Sequence, residues 1–162
     1  MTHILQHTLD GSHTIYIPEM DEHYHSTNGA IQEALHIYIS KAYQFSQVSQ
    51  PTVFEVGFGT GLNALLTALE AEKSQRKTTY VSIEKYPLGP DEYSQLNYAS
   101  LIGESAVALF EKLHTAKWDS LVEISPWFSL QKLRADLTLL PKIPMADVIY
   151  FDAFAPNKQE SM

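Results

Sequence analysis

The chain has 162 residues, with 19 acidic and 11 basic side chains and no cysteine. A chain of this length fits one domain and can bury roughly 70% of its unfolded surface. The lack of cysteine excludes disulfides, thiolate metal sites, iron–sulfur clusters and cysteine nucleophiles. No apolar run approaches the roughly 20 residues that span a bilayer, and residues 1–20 contain no Lys or Arg. We therefore expect no membrane segment or Sec signal, and a cytoplasmic location.

The charge is unevenly distributed along the chain. Residues 1–72 carry eight acidic groups and one basic group, whereas residues 73–162 carry eleven acidic and ten basic groups. Because contacts to phosphates supply most of the affinity for nucleic acid, a net acidic chain is a poor candidate for a dedicated polyanion binder. A local basic patch in the second half remains compatible with this composition.

The N-terminal segment predicts a β-hairpin followed by a helix. Strand-like runs cover Ile4–Leu9 and His13–Ile17, and they are joined across Asp10-Gly11, a dipeptide that tolerates the positive φ angles of a tight turn. The polar residues 21–29 predict an irregular loop. Apolar residues then recur at helical spacing, which predicts a helix over Ala30–Phe45.

From Thr52 onward, strand patterns alternate with helix patterns. Strands are predicted over Thr52–Val56, Thr79–Ile83, Phe128–Arg134 and Asp147–Phe151, with a ribbon strand near Leu121–Ile124, and helices over Leu62–Lys73, Pro90–Leu101 and Glu104–Lys117. This alternation predicts an α/β fold with a doubly wound, mostly parallel sheet. We expect residues 1–50 to pack as a hairpin, loop and helix on a core formed by residues 51–162.

A glycine-rich turn follows the first of these strands. In Glu55-Val-Gly-Phe-Gly-Thr-Gly61 the glycines permit a sharp turn and close approach of a ligand, and the helix that follows offers free N–H groups. The spacing differs from the Gly-x-Gly-x-x-Gly of dinucleotide folds. An acid before the glycines suits a cationic ligand group, such as the sulfonium and amino groups of S-adenosylmethionine. The alternative is a turn of purely structural origin.

Further acids follow the other strands, where the ligand of a doubly wound sheet binds. Glu84 can accept hydrogen bonds from both hydroxyls of a ribose, which does not distinguish nicotinamide enzymes from methyltransferases; alternatively it is a solvated side chain. Asp136 can accept from an adenine amino group or cap a helix over Leu137–Leu140. Asp152 can orient an attacking amine and favour its charged transition state. Phe154 either stacks on a base or belongs to the core.

Other catalytic and metal-binding patterns are missing from the sequence. The seven histidines form no HExxH motif and no ordered cluster with acids, so no metal site is predicted. No serine lies in a G-x-S-x-G motif, which leaves a hydrolase without support.

Three motifs resemble one enzyme family. EVGFGTGLN (Glu55–Asn63), IEKYPL (Ile83–Leu88) and FDAFAPNKQESM (Phe151–Met162) are similar to the methyltransferase domain of tRNA 5-methylaminomethyl-2-thiouridine biosynthesis proteins of the MnmC or MnmD type. DEHYHSTNGAIQEALHIY (Asp21–Tyr38) resembles the segment before that family's first helix. The resemblance implies a Rossmann-like class I fold that uses S-adenosylmethionine to methylate an aminomethyl group on the wobble uridine of tRNA.

The resemblance also implies roles for individual residues. The methionine end of the cofactor would be lined by Glu55, Gly57, Gly59, Gly61 and Asn63, the ribose would be held by Glu84, and the adenine side by Asp136. Phe58, Lys85 and Asp152 would also bind the cofactor. Asp152 would also face the amine as the catalytic residue. The substrate would contact Tyr24, Ser26, Asn28, Phe154 and Lys158, the last of these touching the anticodon region of the tRNA.

The family continues after the FDAFAPNKQESM segment with further strands and helices. The resemblance therefore predicts an incomplete sheet with an exposed fourth-strand edge, which favours a homodimer.

Two other functions are compatible with the sequence. A catalytically impaired module that binds the cofactor without transferring a methyl group is one alternative. A nicotinamide-dependent oxidoreductase on a related fold is the other, although the glycine spacing disfavours it.

Overall fold

A computed structural model of the chain describes residues 1–139 and 145–154. The chain begins with a small antiparallel sheet of three strands in the order β1-β2-β3. The strands are β1 (Ile4–His7), β2 (His13–Ile17) and β3 (Glu22–His23). The predicted hairpin is therefore present, and its turn is braced by Asp10, which accepts hydrogen bonds from Thr8 Oγ1 at 2.7 Å and from the Ser12 N–H at 3.0 Å. Strand β3 lies within the segment expected to be irregular.

The next helix, α1, changes its geometry along its length. It is α-helical over Ala30–Ala34 and π-helical over Leu35–Tyr43, so it ends two residues before the predicted Phe45. Its buried residues Ala30, Ala34, Ile39 and Tyr43 are spaced by four, five and four positions. The spacing of five exceeds an α-helical turn, and i→i+5 hydrogen bonding accommodates it.

A five-stranded sheet in the order β6-β7-β5-β4-β8 forms the centre of the molecule. Strands β7, β5, β4 and β8 are parallel, whereas β6 pairs with β7 in antiparallel orientation. The strands of this sheet are β4 (Thr52–Val56), β5 (Thr78–Glu84), β6 (Leu121–Ser125), β7 (Phe128–Arg134) and β8 (Val148–Phe151). The α-helices that follow α1 are α2 (Leu62–Ser74), α3 (Pro90–Tyr93), α4 (Tyr98–Ile102) and α5 (Glu104–Thr115). The mostly parallel α/β sheet agrees with the predicted fold class.

One predicted helix is divided in the structure. Instead of a continuous helix over Pro90–Leu101, α3 and α4 are separated by a turn at residues 94–97. Asn97 occupies this turn, where its Oδ1 accepts the His13 N–H at 2.8 Å and its Nδ2 donates to the Gly11 carbonyl at 2.9 Å. The Asn97 side chain thus joins this turn to the N-terminal hairpin, a contact distant in sequence that local periodicity does not register.

The two faces of the large sheet are covered differently. Helices α1, α2 and α5 pack on the face that carries Val53, Tyr80 and Tyr150. On the opposite face, the buried Phe54 and Val56 lie beside Ile149 and Phe151 of β8, whose side chains are 62% and 59% exposed. None of the helices within the described ranges is long and apolar enough to cross a membrane.

Candidate functional site

A cavity of about 550 Å³ opens at the carboxyl ends of the parallel strands. Its walls come from the glycine turn after β4, from Glu84 at the end of β5 and Lys85 after it, from Asp136 after β7 and from Asp152 after β8. Strands β5 and β8 lie on opposite sides of β4, so the strand order reverses at β4. Open α/β sheets bind their ligands at such a topological switch point. The volume is typical of a small-molecule site.

The glycine turn is held tightly between neighbouring elements. The Gly57 and Phe58 N–H groups both donate to the Ile83 carbonyl, at 2.9 and 3.1 Å. Gly59 has φ +50°, and a Cβ at this position would lie 3.1 Å from Tyr24 Cδ1. Gly61 has φ +74°, and a Cβ there would lie 2.9 Å from His114 Nε2. Both the backbone conformation and the space therefore favour glycine at these two positions.

Acidic side chains line the far end of the cavity. Glu84 accepts hydrogen bonds from the Gly59 N–H at 3.0 Å and the Tyr86 N–H at 2.9 Å, which fix its carboxylate beside the glycine turn. Asp136 accepts from the Thr138 N–H at 2.8 Å and pairs with Lys85 at 2.9 Å. Hydrogen bonding from Thr138, followed by that from Lys85, lowers the pKa of Asp136 to about 2. Asp136 thus starts the short 3-10 turn after β7 and also lines the cavity.

Asp152 lies at the opposite end of the cavity in a mostly buried position. Its Oδ2 accepts a hydrogen bond from Asn63 Nδ2 at 2.8 Å. Burial raises the pKa of Asp152, while hydrogen bonding from Tyr38 and Asn63 lowers it. His25 Nδ1 lies 4.0 Å from Oδ2, but burial lowers the pKa of His25 to about 4, and its Nε2 lies 2.7 Å from Thr60 Oγ1. The imidazole beside Asp152 is therefore neutral at physiological pH.

A second cavity, of about 170 Å³, meets the first one at Asp152. Its walls come from the segment after β3 and from α1, including Ser26, Glu33, Ile37 and Tyr38. Tyr24, His25 and Asp152 line both cavities, so these side chains form the boundary between them. The Asp152 carboxylate is thus reachable from two sides.

Glu55 does not line either cavity, in contrast to the expectation for the methionine end of a cofactor. It is 1% exposed and points from β4 toward α2, where its Oε2 accepts a hydrogen bond from Ser82 Oγ at 2.7 Å. Burial, the main cause, raises the pKa of Glu55 to about 8. Side chains alternate along a strand, so the acid faces the helical layer instead of the open end of the sheet.

The other predicted residues divide between the two cavities and the surface. Phe154 lines the larger cavity and contacts Tyr24 edge to face, with ring centroids 5.1 Å apart. Ser26 lines only the smaller cavity. Asn28 is exposed and lines neither, because its N–H donates to Ser26 Oγ in a local turn. Gly61 lies behind the turn against His114, outside the cavity lining, and Lys158 is outside the described residues.

Sequence reasoning missed several residues that support the site. Tyr38 is one, because its helical spacing suggested only packing. Another is Lys132, whose Nζ lies 4.7 Å from the ring centroid of Trp118 and donates to the His114 carbonyl at 2.8 Å. His114 in turn donates from Nε2 to the Thr60 carbonyl at 3.1 Å and stacks on Tyr93. These residues lie far from the glycine turn in sequence. The signal in the sequence is Lys132, a lysine at a position where the alternation of the predicted strand places apolar residues.

The strand order and the placement of the cavity define a Rossmann-like α/β fold. The crystal structure of MNMC2 from Aquifex aeolicus superposes on 96% of this chain with a TM-score of 0.68 and 23% sequence identity, and the match covers 50% of that chain. The two proteins therefore share a fold, as the motifs predicted.

Several relatives found by sequence comparison share one name. The chain is 32% identical over 162 residues to the tRNA 5-methylaminomethyl-2-thiouridine biosynthesis bifunctional protein MnmC of Cupriavidus necator, and this match covers 91% of the chain. The proteins of the same name from Paraburkholderia phymatum and Cupriavidus metallidurans are 30% and 28% identical over 92% and 100% of the chain. These matches cover 24–26% of the relatives, so the chain spans about a quarter of their length. They confirm the resemblance found in the motifs, whereas no family model matches the chain.

Proposed function

We propose that this chain is an S-adenosylmethionine-dependent methyltransferase that acts on the aminomethyl group of 5-aminomethyl-2-thiouridine at the wobble position of tRNA. The similarity to tRNA 5-methylaminomethyl-2-thiouridine biosynthesis proteins over at least 91% of the chain supports this assignment. The observation that carries it is the position of Asp152, a partly buried carboxylate on the boundary between a cofactor-sized cavity and a smaller one.

The larger cavity suits S-adenosylmethionine. Glu84 is fixed by two backbone N–H groups and retains lone pairs for the ribose hydroxyls, while Asp136 lies where an adenine amino group would bind. Gly59 lets the turn approach a ligand closely beneath Tyr24. When bound, S-adenosylmethionine supplies an electrophilic methyl group on a sulfonium.

The smaller cavity suits the methyl acceptor. We infer that the aminomethyl group enters along Ser26 and Tyr38 and reaches Asp152 from the side opposite the cofactor. Methyl transfer needs an unprotonated amine in line with the methyl group, and the cavity walls supply that alignment. Asp152 accepts hydrogen bonds from the amine and stabilises the positive charge that develops on nitrogen. The neutral His25 beside it adds no opposing charge.

Binding of the cofactor is tested by calorimetric titration of the chain with S-adenosylhomocysteine and, separately, with NADH. Micromolar affinity for the first and none for the second is expected. Equal affinity for NADH would favour an oxidoreductase instead, and binding of S-adenosylhomocysteine without any methyl transfer would favour the impaired module.

Transfer is tested with radiolabelled S-adenosylmethionine and tRNA that carries 5-aminomethyl-2-thiouridine. Asp152→Asn is expected to lower the transfer rate roughly 100-fold, because the amide cannot stabilise the charged nitrogen equally well. Asp91→Asn, on the exposed surface of α3, is the matched control and should retain the wild-type rate. Near-full transfer by the Asp152 variant would contradict the proposed role.

A further inference from the structure

Tyr24 and His25 follow β3 and form a wall that the two cavities share. Both side chains contact the glycine turn. A Cβ at Gly59 would lie 3.1 Å from Tyr24 Cδ1, and His25 Nε2 lies 2.7 Å from Thr60 Oγ1. Neither Tyr24 nor His25 belongs to a helix or a strand, so individual contacts determine where this shared wall lies.

His25 connects strand β2 to the glycine turn. On one side, Thr14 Oγ1 of β2 accepts a hydrogen bond from the His25 N–H at 3.0 Å and donates to the His25 carbonyl at 3.1 Å. On the other side, the imidazole contacts the Thr60 hydroxyl. Thr14 and Thr60 are fully buried, and the side chain of His25 is 9% exposed. His25 is therefore a buried link between the N-terminal sheet and the turn.

Thr60 is the group that fixes the imidazole in the shared wall. His25 Nδ1 lies 4.0 Å from Asp152 Oδ2, which is too long for a direct hydrogen bond, and Tyr98 contacts the imidazole edge to face with ring centroids 6.2 Å apart. A hydroxyl both donates and accepts, so the contact between Nε2 and Thr60 Oγ1 is satisfied in either tautomer of the ring. Thr60 is held from its other side, where its carbonyl accepts a hydrogen bond from His114 Nε2 at 3.1 Å.

The position of the shared wall matters because Asp152 lies beside it. In the proposed function, the amine reaches Asp152 from the smaller cavity and points toward the methyl group in the larger one. Its lone pair forms the C–N bond as the C–S bond of the sulfonium breaks, and the proton lost from nitrogen passes to water. The rate depends steeply on alignment, and a displacement of about 1 Å can slow a reaction roughly 100-fold. Without their hydrogen bond, His25 Nε2 and Thr60 Oγ1 would be buried without partners, which favours movement of the wall away from the turn.

We propose that His25 is a positioning residue: its hydrogen bond to Thr60 holds the shared wall on the glycine turn and thereby sets the direction in which the acceptor amine meets Asp152. This inference rests on the proposed function, in which Asp152 receives the amine. The segment after β3 thus acts in alignment, whereas Glu84 and Asp136 contact the cofactor.

Two variants of His25 separate the hydrogen bond from the loss of the ring. The amide of Gln extends about as far as Nε2 of His, so His25→Gln still reaches Thr60. The amide of Asn ends near the position of Nδ1, so His25→Asn does not. Methyl transfer by His25→Gln should stay within about threefold of wild type, whereas transfer by His25→Asn should be roughly tenfold slower, the effect of one hydrogen bond.

The same hydrogen bond can be removed from the other side. Thr60→Val replaces the hydroxyl by a methyl group of similar size and should slow transfer roughly tenfold, while Thr60→Ser keeps the hydroxyl and should not. The double variant His25→Asn/Thr60→Val should be no slower than either single variant, because each removes the same interaction.

Thr78→Val is the matched control for the loss of a buried threonine hydroxyl. Thr78 Oγ1 lies 2.6 Å from the Tyr43 hydroxyl in a buried pair, at the end of β5 opposite to the cavities. This variant should lose stability in urea as Thr60→Val does, yet it should transfer the methyl group at the wild-type rate.

Transfer is measured with radiolabelled S-adenosylmethionine at saturating tRNA, so that kcat reports alignment, and binding of S-adenosylhomocysteine is measured by calorimetry. A positioning role predicts a lower kcat for His25→Asn and Thr60→Val, with affinity for S-adenosylhomocysteine within about threefold of wild type. A loss of affinity with unchanged kcat, additive effects in the double variant, or an equally slow Thr78→Val would overturn the inference.

The wild-type rate separates this inference from the proposed function. If the wild type transfers methyl groups and both His25→Asn and Thr60→Val match its rate, the inference fails and the proposed function stands. If the wild type binds S-adenosylhomocysteine but transfers nothing to tRNA that carries 5-aminomethyl-2-thiouridine, the proposed function fails and the inference falls with it. Thr60→Val decides even if His25→Asn does not fold, because it preserves the shape of the side chain.

Discussion

Lys132 provides a test of how a buried charge behind the glycine turn affects the stability of the fold. Its side chain is 1% exposed on β7, and Nζ lies 4.7 and 5.2 Å from the ring centroids of Trp118 and Phe58. Within residues 1–139 and 145–154, no carboxylate forms an ion pair with it; the ammonium donates instead to the His114 carbonyl. Burial lowers the pKa of Lys132 to about 8.

This pKa fixes the sign and size of an effect on stability. The folded chain binds fewer protons than the unfolded chain between pH 8 and the ordinary lysine value of 10.5, so the charged ammonium destabilises the fold fully below pH 8 and progressively less as the pH rises. The difference between these two pKa values corresponds to roughly 3 kcal/mol in the free energy of unfolding. In Lys132→Met the charge is gone, but the His114 carbonyl loses its donor, at a cost of about 1–2 kcal/mol.

The variant is therefore expected to be about 1–2 kcal/mol more stable than wild type at pH 7 and less stable by a similar amount above pH 10, with the curves crossing near pH 9. Urea denaturation followed by the fluorescence of Trp118 and Trp127 measures this at several pH values. Lys117→Met, at an exposed lysine, controls for the substitution itself. A difference between Lys132→Met and wild type that stays constant from pH 7 to 10.5 would refute the reasoning.

Three further outcomes are expected. Gly61→Ala should destabilise the fold by about 2 kcal/mol or more in urea, whereas Gly11→Ala, which has a similar positive φ but no atom within 4 Å of the added Cβ, should cost only about 1 kcal/mol. Glu84→Gln should weaken binding of S-adenosylhomocysteine roughly tenfold by calorimetry, and Glu123→Gln on β6 should leave it unchanged; equal affinities would remove Glu84 from the ribose site. Because burial lowers the pKa of His114 to about 4, part of the stability present above pH 6.5 should be lost as the pH falls to 4, by about 2–3 kcal/mol. His114→Phe should show a shallower decline over that range, and an unchanged slope would contradict the assignment.

Local sequence signals predicted much of the fold. The strand bounds Thr52–Val56 and Phe128–Arg134 agree with the structure. The first is a short, mostly apolar run, as is typical of a strand buried in a parallel sheet, and the second alternates apolar and polar residues along most of its length. Ligands of open α/β sheets bind at the carboxyl ends of the parallel strands, which depends only on strand direction. This principle correctly predicted that Glu84, Asp136 and Asp152 line one cavity.

Features that depend on contacts distant in sequence were not predictable in the same way. Whether Glu55 faces the ligand or the helical layer is decided by the pleat of β4 at its last residues, which a motif does not specify. The turn after Tyr93 is joined to the N-terminal hairpin by hydrogen bonds of Asn97, which connect residues more than 80 positions apart. Tyr38 reaches Asp152 from a π-helical segment that helical periodicity takes for an ordinary α-helix.

The N-terminal segment forms one wall of the larger cavity, through Ile17 of β2, through Met1 and His3 before β1, and through Tyr24 and His25 after β3. A shortened chain that began at Thr52 would keep the whole glycine motif, Glu84 and Asp152, yet the cavity would stand open on one side. The smaller cavity would vanish altogether, because apart from Asp152 its entire lining precedes β4. A search for shorter versions of this protein by motif alone would thus accept chains that lack the surface on which the acceptor is proposed to bind.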